Sequence, residues 1–366
     1  MKKADLARQV NDAKGLRYSF SDSFLNAMMR DTWFESLTGI PEETPDQVRS
    51  QLTLDGTEIT SEANGRTMTC GRLRTPTLAD LREQTPDGSP TSPLETGDRL
   101  PLREVVADVQ ELHVDPANAG ALFQVASQFN LLEMTSPSVS PEDGIGIYSG
   151  DYTQGPACAI AAGAGTIYRN YFAEVQGQVG QSTECQINCL NEVGRALGNQ
   201  DGELWKMRNG YALATRPGLK RIAEHLDSLD SEGLEGLRGK LKIGLQLGTE
   251  VTLQDAGHLV SQAYCSALPV SYSSHPTGLW EPFARFILEG AYEATLRAAH
   301  LNAERTGNNT VFLTLLGGGA FGNETDWILD SLERALHACA PLDLDVAVVS
   351  YGGANSNLHP LLDSED

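Results

Sequence analysis

One stretch, residues 310–323, constrains the fold more than any other part of the chain. It reads TVFLTLLGGGAFGN, in which an apolar run typical of a buried β-strand stops at three consecutive glycines. A segment typical of a helix, residues 326–338, follows it. Glycines let backbone N–H groups approach a ligand, and a helix N-terminus carries partial positive charge, so this order of elements is typical of an anion site. A glycine-rich turn without a ligand is the alternative, because a glycine count alone is a weak motif.

The charge balance limits the classes of ligand and partner. The chain has 27 Lys and Arg residues against 49 Asp and Glu residues, for a net charge of −22. This charge argues against binding to nucleic acid or to anionic membranes. Any anionic ligand must therefore be held by local donors, mainly backbone amides. No apolar run approaches the roughly 18 residues that span a bilayer, and no signal-peptide core is present, so we expect a soluble, cytoplasmic protein.

Cysteine spacing gives no sign of a metal site. The six cysteines are Cys70, Cys158, Cys185, Cys189, Cys265 and Cys339. They are scattered, and no CxxC pair or nearby histidine completes a zinc set. We expect reduced thiols, mostly in the core.

The chain divides into two parts of different character. Residues 1–100 are predicted to form an extension with a helix over 21–37, a hairpin over 51–60 and a linker over 85–101. Residues 101–366 alternate strands with helices, which predicts a mixed, largely parallel sheet with helices on both faces. The strands are expected over residues 104–112, 120–126, 144–148, 205–215, 240–247, 259–272, 311–316 and 345–351. The helices are expected over residues 156–172, 217–229, 280–305 and 326–338.

Three predicted strand ends carry unusual residues, in segments 127–130, 149–156 and 317–323. In open α/β sheets ligands bind at the carboxyl ends of the strands. We therefore expect backbone amides of the Gln154 and Gly318 junctions to converge on one ligand. A dianionic linker such as a pyrophosphate would suit them.

These three loops, in this order, resemble those of the macrodomain family, whose members bind ADP-ribose. The matching stretches are FQVASQFN, DYTQGPACAIAAGAG, ILEGAYEATLRAA and LLGGGAFG, and the resemblance covers about residues 102–352. Two departures stand out. The family's Asn-Ala-Ala-Asn is not literal here, and its four-glycine loop is replaced by Asp-x-x-Gln-Gly-Pro. This variant, with TIYRNYF, QINCL and WEPFAR, resembles the divergent MavL-type (ADP-ribosyl)-arginine hydrolases.

The resemblance implies a fold and an activity. The fold is a macrodomain-like three-layer α/β/α arrangement with a mixed central sheet, an N-terminal extension and a large insertion at about 174–250. The activity is removal of mono-ADP-ribose from a modified protein, on arginine, with ubiquitin as a candidate substrate, and it requires no metal or cofactor. A non-catalytic ADP-ribose reader is the alternative. Cleavage of poly-ADP-ribose is disfavoured, because it usually depends on paired glutamates that the central loop lacks.

The resemblance also suggests roles for single residues. Asp151 and Asp143 are the candidate catalytic carboxylates, since a carboxylate stabilises the oxocarbenium charge that develops on ribose and activates water. The alternative for each is a turn or helix cap. Glu133 and Glu250 are candidates for a second acid, and Asp108 for contact with adenine. The expected ADP-ribose-binding residues are Gln128, Asn130, Gln154, Gly155, Pro156, Ala157, Gly317, Gly318, Gly319, Ala320, Phe321, Gly322 and Asn323.

Overall fold

The computed structural model describes residues 32–85 and 99–362. Its helices are α1 (Trp33–Thr38), α2 (Pro45–Ser50), α3 (Leu78–Gln84), α4 (Val109–Val114), α5 (Gln154–Ala161), α6 (Gly163–Ile167), α7 (Asn191–Ala196), α8 (Arg216–Ser228), α9 (Ser231–Arg238), α10 (Glu281–Thr306) and α11 (Thr325–Ala338). Its strands are β1 (Leu52–Asp55), β2 (Glu58–Ser61), β3 (Thr67–Thr69), β4 (Arg72–Arg74), β5 (Leu102–Val106), β6 (Leu122–Ala126), β7 (Glu174–Val175), β8 (Gln178–Val179), β9 (Trp205–Arg208), β10 (Tyr211–Ala214), β11 (Gly244–Glu250), β12 (Leu259–Cys265), β13 (Thr310–Leu313) and β14 (Asp345–Ser350).

The central sheet has seven strands in the order β4-β11-β12-β6-β13-β14-β5. The five strands from β12 to β5 pair in parallel, whereas β11 pairs antiparallel with both β12 and β4. Strands β6 and β13 lie in the middle and are almost entirely buried, which explains their continuous apolar sequences. The carboxyl ends of the parallel strands therefore meet along one edge of the sheet.

Helices cover both faces of this sheet. On β6, the Phe123 ring stacks on His113 of α4 with centroids 3.8 Å apart. The next side chain, Gln124, points the other way and donates to Thr295 Oγ of α10 at 3.1 Å. Helix α11 packs against α10. The predicted fold class, an α/β arrangement of three layers around a mixed sheet, is thus confirmed.

A second, smaller core lies beside the sheet. Helices α1 and α2 and the antiparallel sheet β1-β2-β3 contribute one half of it. The other half comes from the loop at residues 132–148 and from the helical segment at residues 159–171. Its buried members include Phe34, Ile59, Leu132, Tyr148 and Tyr171. Residues from the first hundred therefore complete the apolar packing beneath a loop of the main domain.

The small elements fit the sequence prediction unevenly. The predicted hairpin at 51–60 is confirmed as β1 and β2, and the pair at 205–215 as β9 and β10. The helix predicted over 21–37 lies outside the described residues except where α1 begins at Trp33, and the 85–101 linker lies mostly outside them. No helix of the described ranges is long and apolar enough to cross a bilayer.

Several predicted elements were wrong in type or extent. The strands predicted over 240–247, 259–272 and 311–316 are observed as Gly244–Glu250, Leu259–Cys265 and Thr310–Leu313. The strand over 104–112 ends at Val106, because Asp108 caps α4 by accepting the N–H of Gln110 at 2.8 Å. The strand over 144–148 is instead a 3₁₀ turn, Gly146–Gly150. The helix over 156–172 begins two residues earlier, breaks at Ala162 and ends in a π-helical turn.

Candidate functional site

Two cavities join into one cleft at the carboxyl ends of the parallel strands. The large cavity has a volume of about 800 Å³ and the small cavity about 350 Å³. Residues common to the linings of both are Asp151, Thr153, Gln154, Thr314 and Leu315. The large cavity extends over the ends of β5 and β14, and the small cavity over the ends of β6 and β12. The cleft therefore has room for an elongated ligand.

The cleft begins where two neighbouring strands separate. Strand β13 pairs with β6 only as far as Phe123, although β6 continues to Ala126. The side chain of Gln154 occupies the gap: its Oε1 accepts the N–H of Ala126 at 2.9 Å, and its Nε2 donates to the carbonyl of Gln124 at 2.7 Å. The first residue of α5 is thus fixed against the backbone of β6.

Helix α5 supplies the first set of backbone donors. The first N–H groups of a helix have no partner within it, and the Thr153 side chain makes no capping bond to this one. The N–H groups of Gln154 and Gly155 are therefore available to a ligand. A Cβ on Gly155 would lie 1.9 Å from the carbonyl oxygen of Ala126, so only glycine permits this close approach.

The glycine loop supplies the second set. Gly317, Gly319, Ala320 and Phe321 line the small cavity. Among the described residues, no protein acceptor pairs with the N–H groups of Gly319, Ala320 and Phe321. The loop is held from beneath by Asn323, whose side-chain amide donates to the carbonyls of Leu268 and Gly317 at 2.9 and 3.3 Å. Residues of the two junctions expected to converge line the same small cavity.

Aromatic side chains form the far wall of the small cavity. Phe321 lies 5.4 Å from the ring of Tyr211 and 5.7 Å from that of Tyr272. Tyr211 follows the Asn-Gly turn of the β9–β10 hairpin and donates to the carbonyl of Met134 at 2.6 Å. Gln128 lies beside it and accepts the N–H of Met134 at 2.8 Å. An aromatic wall of this kind suits the face of a sugar.

Asp151 lies where the two cavities meet. One of its carboxylate oxygens accepts the N–H and the Oγ–H of Thr153, at 2.9 and 2.7 Å. The other oxygen has no hydrogen-bond partner among the described residues. The carboxylate is therefore oriented by the turn that opens α5 and keeps one oxygen for a ligand or a water.

Glu133 is the second acid of the small cavity. It is 2% exposed, and neither carboxyl oxygen has a hydrogen-bond partner among the described residues. Burial raises its pKa to about 8, which the nearby guanidinium of Arg169 offsets only in part. Glu133 therefore holds its proton at neutral pH. Its main-chain N–H donates to Tyr148 Oη at 3.0 Å, which ties it to the loop that leads to Asp151.

The large cavity has an apolar stretch in its lining. Val109, Ile160, Leu315 and Val349 contribute to its lining, together with Asp108. Tyr152 and Tyr351, both among the lining residues, are 96% and 84% exposed. An apolar stretch beside the Asp108 carboxylate and two exposed aromatic rings is suited to a heterocyclic base.

Some predicted residues lie elsewhere. Asp143 is exposed, lines neither cavity, and accepts the N–H and Oγ–H of Ser140 at 2.7 and 3.0 Å as a turn cap. Asn130 is fully buried and bonds to Gln186 and Leu132, so it holds a loop. Glu250 accepts the N–H of Thr69, away from the cleft.

The other predicted binding residues fall into two groups, those that line a cavity and those that do not. Gln128, Gly155, Pro156, Gly317, Gly319, Ala320 and Phe321 line the small cavity, Ala157 lines the large one, and Gln154 lines both. Gly318, Gly322 and Asn323 belong to the glycine loop but line neither cavity. Their part is to shape the loop: Gly322 has φ 70° and a Cβ there would lie 2.9 Å from Ser271.

Tyr211 and Tyr272 line the small cavity but are not among the residues that the sequence predicts for the site. Both belong to segments distant in sequence from the three loops, and no local pattern marks them. Glu133 was named only as one of two candidates for the second acid. Its available signal was its position, as an acidic residue within the apolar run after β6. No group of three or more His, Cys, Asp or Glu residues in the described ranges is placed to hold a metal ion.

Neither a protein-family model nor a curated protein sequence matches the chain. Among solved structures, the chain is similar to poly(ADP-ribose) glycohydrolase from Thermomonospora curvata, with a TM-score of 0.40, 13% identity, and coverage of 87% of this chain and 92% of that one. The same enzyme bound to the inhibitor ADP-HPD gives a TM-score of 0.40, 14% identity, and coverage of 88% and 95%. The enzyme from Deinococcus radiodurans in complex with ADP-ribose gives 0.37, 11%, and 79% and 94%. At these scores the assignment of an activity depends on the site itself.

Proposed function

We propose that the protein is an ADP-ribosyl hydrolase, which cleaves the glycosidic bond at the anomeric carbon of the proximal ribose and releases ADP-ribose from a modified protein. One observation carries this proposal. Free backbone amides of two separate strand-to-helix junctions line one cavity, and two acids, Asp151 and Glu133, lie in the same cavity. The amides bind the pyrophosphate by hydrogen bonds, and the two acids take part in cleavage of the glycosidic bond.

The cleft suggests how the ligand lies. Adenine lies against the apolar stretch of the large cavity beside Asp108, which accepts from its amino group. The pyrophosphate lies at the junction, between the amides of α5 and those of the glycine loop. The proximal ribose then enters the small cavity against Phe321 and Tyr211, with its anomeric carbon toward the acids. This placement requires no positive side chain, in keeping with a chain of net charge −22.

The two acids take different roles. The Asp151 carboxylate positions and deprotonates the attacking water and stabilises the positive charge that develops on ribose. Glu133, protonated at neutral pH, supplies the proton that the leaving group requires. Its carboxyl oxygens are covered in the free protein, so this step includes rotation of the side chain toward the small cavity.

The proposed substrate is mono-ADP-ribosylated arginine, with ubiquitin as the candidate carrier. The resemblance of the Asp-x-x-Gln-Gly-Pro loop to that of the (ADP-ribosyl)-arginine hydrolases supports this choice. A basic guanidine must leave in protonated form, which suits a site that contains a proton donor. The segment at residues 174–250 contributes Tyr211 to the wall and so extends to the entrance of the small cavity.

The test is release of free ADP-ribose from arginine-ADP-ribosylated ubiquitin, with ADP-ribosylated arginine and poly-ADP-ribose compared in parallel. We expect Asp151→Ala to lower kcat by about 10²–10⁴ and to leave the Kd for ADP-ribose within a few-fold of wild type. Asp227→Ala, an exposed carboxylate on α8, is the matched control and should match wild type. Asp143→Ala tests the predicted role of the other carboxylate.

The same experiment separates the alternative, a non-catalytic reader. A reader binds ADP-ribose and releases none from any of the three substrates, and it keeps its affinity when Asp151 is replaced. Wild-type protein that binds ADP-ribose but leaves every substrate intact would establish the reader and overturn the hydrolase.

A further inference from the structure

The loop that carries Asp151 is held by a carboxylate from a distant part of the chain. Glu42 lies between α1 and α2, in the N-terminal unit, defined here as residues 32–69. Its Oε1 accepts the N–H of Ile145 at 2.8 Å and the phenol of Tyr171 at 2.5 Å, and its Oε2 accepts the N–H of Gly146 at 2.6 Å. One side chain thus binds two consecutive amides of the loop and the helical segment behind it.

Two glycines make room for this carboxylate. A Cβ on Gly144 would lie 2.7 Å from the Glu42 carboxyl carbon, and one on Gly146 would lie 2.6 Å from its Oε2. Gly144 also has φ 85°, a backbone conformation that disfavours other residues. The apolar segment GIGIY, which alternates like a strand, is therefore bent around Glu42 into a 3₁₀ turn.

A second contact from the N-terminal unit fixes the same loop. The indole N–H of Trp33 donates to the carbonyl of Ile145 at 2.9 Å. The Trp33 ring packs against the backbone of α6, where a Cβ on Gly163 would lie 2.7 Å from it. Both the N–H of Gly146 and the carbonyl of Ile145 are thus engaged by residues 32–69, so the loop has little freedom to shift.

The loop leads directly to both acids. Its 3₁₀ turn, Gly146–Gly150, ends directly before Asp151, and Tyr148 within the turn accepts the N–H of Glu133. Tyr148 is fully buried in the second core, beside Phe34 and Ile59 of the N-terminal unit. Any displacement of the turn at Ile145 and Gly146 is therefore transmitted to the acids, five to six residues away along the chain or one hydrogen bond away through Tyr148.

We propose, on the basis of the function proposed above, that Glu42 is a positioning residue for the reaction and that the N-terminal unit is a working part of the active site. The glycine loop, in contrast, has no contact of this kind with Glu42, so ligand binding at that wall does not depend on it. The effect of removing Glu42 should therefore fall on turnover more than on affinity.

The first measurement is a split of kcat from binding. We expect Glu42→Ala to lower kcat by about a hundredfold, because a misplacement near 1 Å has about that effect. The Kd for ADP-ribose, measured by calorimetry, should change less than about threefold on the same reasoning. Glu42→Gln keeps one acceptor oxygen and should recover part of the rate. Glu43→Ala, the exposed neighbour, is the matched control and should match wild type.

A second measurement does not depend on activity. Hydrogen–deuterium exchange in residues 144–151 should rise in Glu42→Ala, while exchange in residues 317–323 stays at the wild-type level. Tyr171→Phe removes one hydrogen-bond donor to the Glu42 carboxylate and should give the same pattern to a smaller extent. It replaces Glu42→Ala in this measurement if Glu42→Ala does not fold. Unchanged exchange in 144–151, or equal losses of kcat and affinity, would overturn the positioning role. Absence of turnover in wild type, with the exchange pattern as expected, would instead overturn the hydrolase and leave the anchoring by Glu42 in place.

Discussion

The two walls of the cleft are anchored in different ways. The glycine loop is held by the main domain: Asn323 bonds to Leu268 and Gly317, and the phenol of Tyr292 accepts the N–H of Leu316 at 2.9 Å. The opposite wall, residues 144–157, is held by Gln154 on the sheet and by Glu42 of the N-terminal unit. The glycine wall is thus held by residues of the central sheet and its helices, whereas the wall that carries Asp151 is held in part by residues 32–69.

The two walls also differ in how their properties depend on pH. Residues 314–323 contain no ionisable side chain, so the glycine wall has a fixed set of backbone donors at any pH. The acid wall contains Asp151 and lies over Glu133, whose pKa is raised to about 8. Affinity for the diphosphate and the rate of cleavage should accordingly be separable by mutation and by pH.

The largest expected effect concerns Glu133 and pH. Its pKa is raised by burial from 4.5 to about 8, so between these pH values the unfolded chain has lost a proton that the folded protein keeps. Wild-type stability relative to Glu133→Gln should therefore fall as pH rises through this window, by up to about 1.4 kcal/mol per pH unit. Urea unfolding at pH 5, 7 and 8.5 measures it, and a difference independent of pH would show that Glu133 is ionised in the folded protein.

The kcat should also depend on the ionisation of Glu133. We expect kcat of wild type to decline above about pH 8, as Glu133 loses its proton. Glu133→Gln should be slower throughout and should lack this decline. If the variant retains the same decline, another group titrates in the reaction and Glu133 is not the proton donor.

Gly155→Ala should damage the acid wall next most severely. The added Cβ would lie 1.9 Å from a backbone oxygen of β6, so the helix start must move away from the sheet. We expect a loss of about 1–3 kcal/mol in the free energy of unfolding, typical of overpacking, together with weaker ADP-ribose binding. Gly236→Ala, on exposed helix α9 with open space at its Cβ, is the control.

Gly317→Ala should damage the glycine wall to a smaller degree. Gly317 has φ 77°, and a Cβ there would lie 2.4 Å from Ala267. We expect a loss of about 1–2 kcal/mol in stability and weaker ligand binding. Gly319→Ala, in the same loop with nothing within 4 Å of its Cβ, should be nearly neutral in stability. Exchange that rose in residues 144–151 of Gly317→Ala would contradict the independence of the two walls.

The smallest effect is expected at the far end of the cleft. Asp108→Asn should weaken ADP-ribose binding by about 1 kcal/mol, the usual size of one hydrogen bond, and leave kcat unchanged at saturating substrate. The measurement is the affinity of wild type and of Asp108→Asn for ADP-ribose and, separately, for ribose 5-phosphate. A loss of affinity for ribose 5-phosphate as well would place Asp108 away from the base.

The parts of the fold that sequence predicted are those with local signals. The glycine run at 317–319, the Gln-Gly-Pro start of α5 and the apolar central strands each contain their own pattern, and each predicted its element. The segment 144–148 alternates like a strand in sequence but enters a 3₁₀ turn. Its true shape depends on Glu42, which lies about a hundred residues away in sequence, and no local pattern reports such a partner.

The candidate site follows the same division. Backbone donors at the two junctions were foreseeable, because glycine and a helix start specify them. Asp143 and Asp151 are both acids beside turns, so the sequence makes both of them candidates, with the aligned loop favouring Asp151; their position relative to the cleft separates them. Tyr211 reaches the cavity from the β9–β10 hairpin, and burial raises the pKa of Glu133. Both properties arise from packing between segments distant in sequence.

The side chain of Gln154 has one more consequence. By bonding to both the carbonyl of Gln124 and the N–H of Ala126, it takes the place of the peptide group that a neighbouring strand would have provided. The separation of β6 from β13 is therefore already present in the free protein, and a ligand does not have to open the sheet. The cleft should then act as a preformed binding site, and the main chain on either side should move little when a ligand binds.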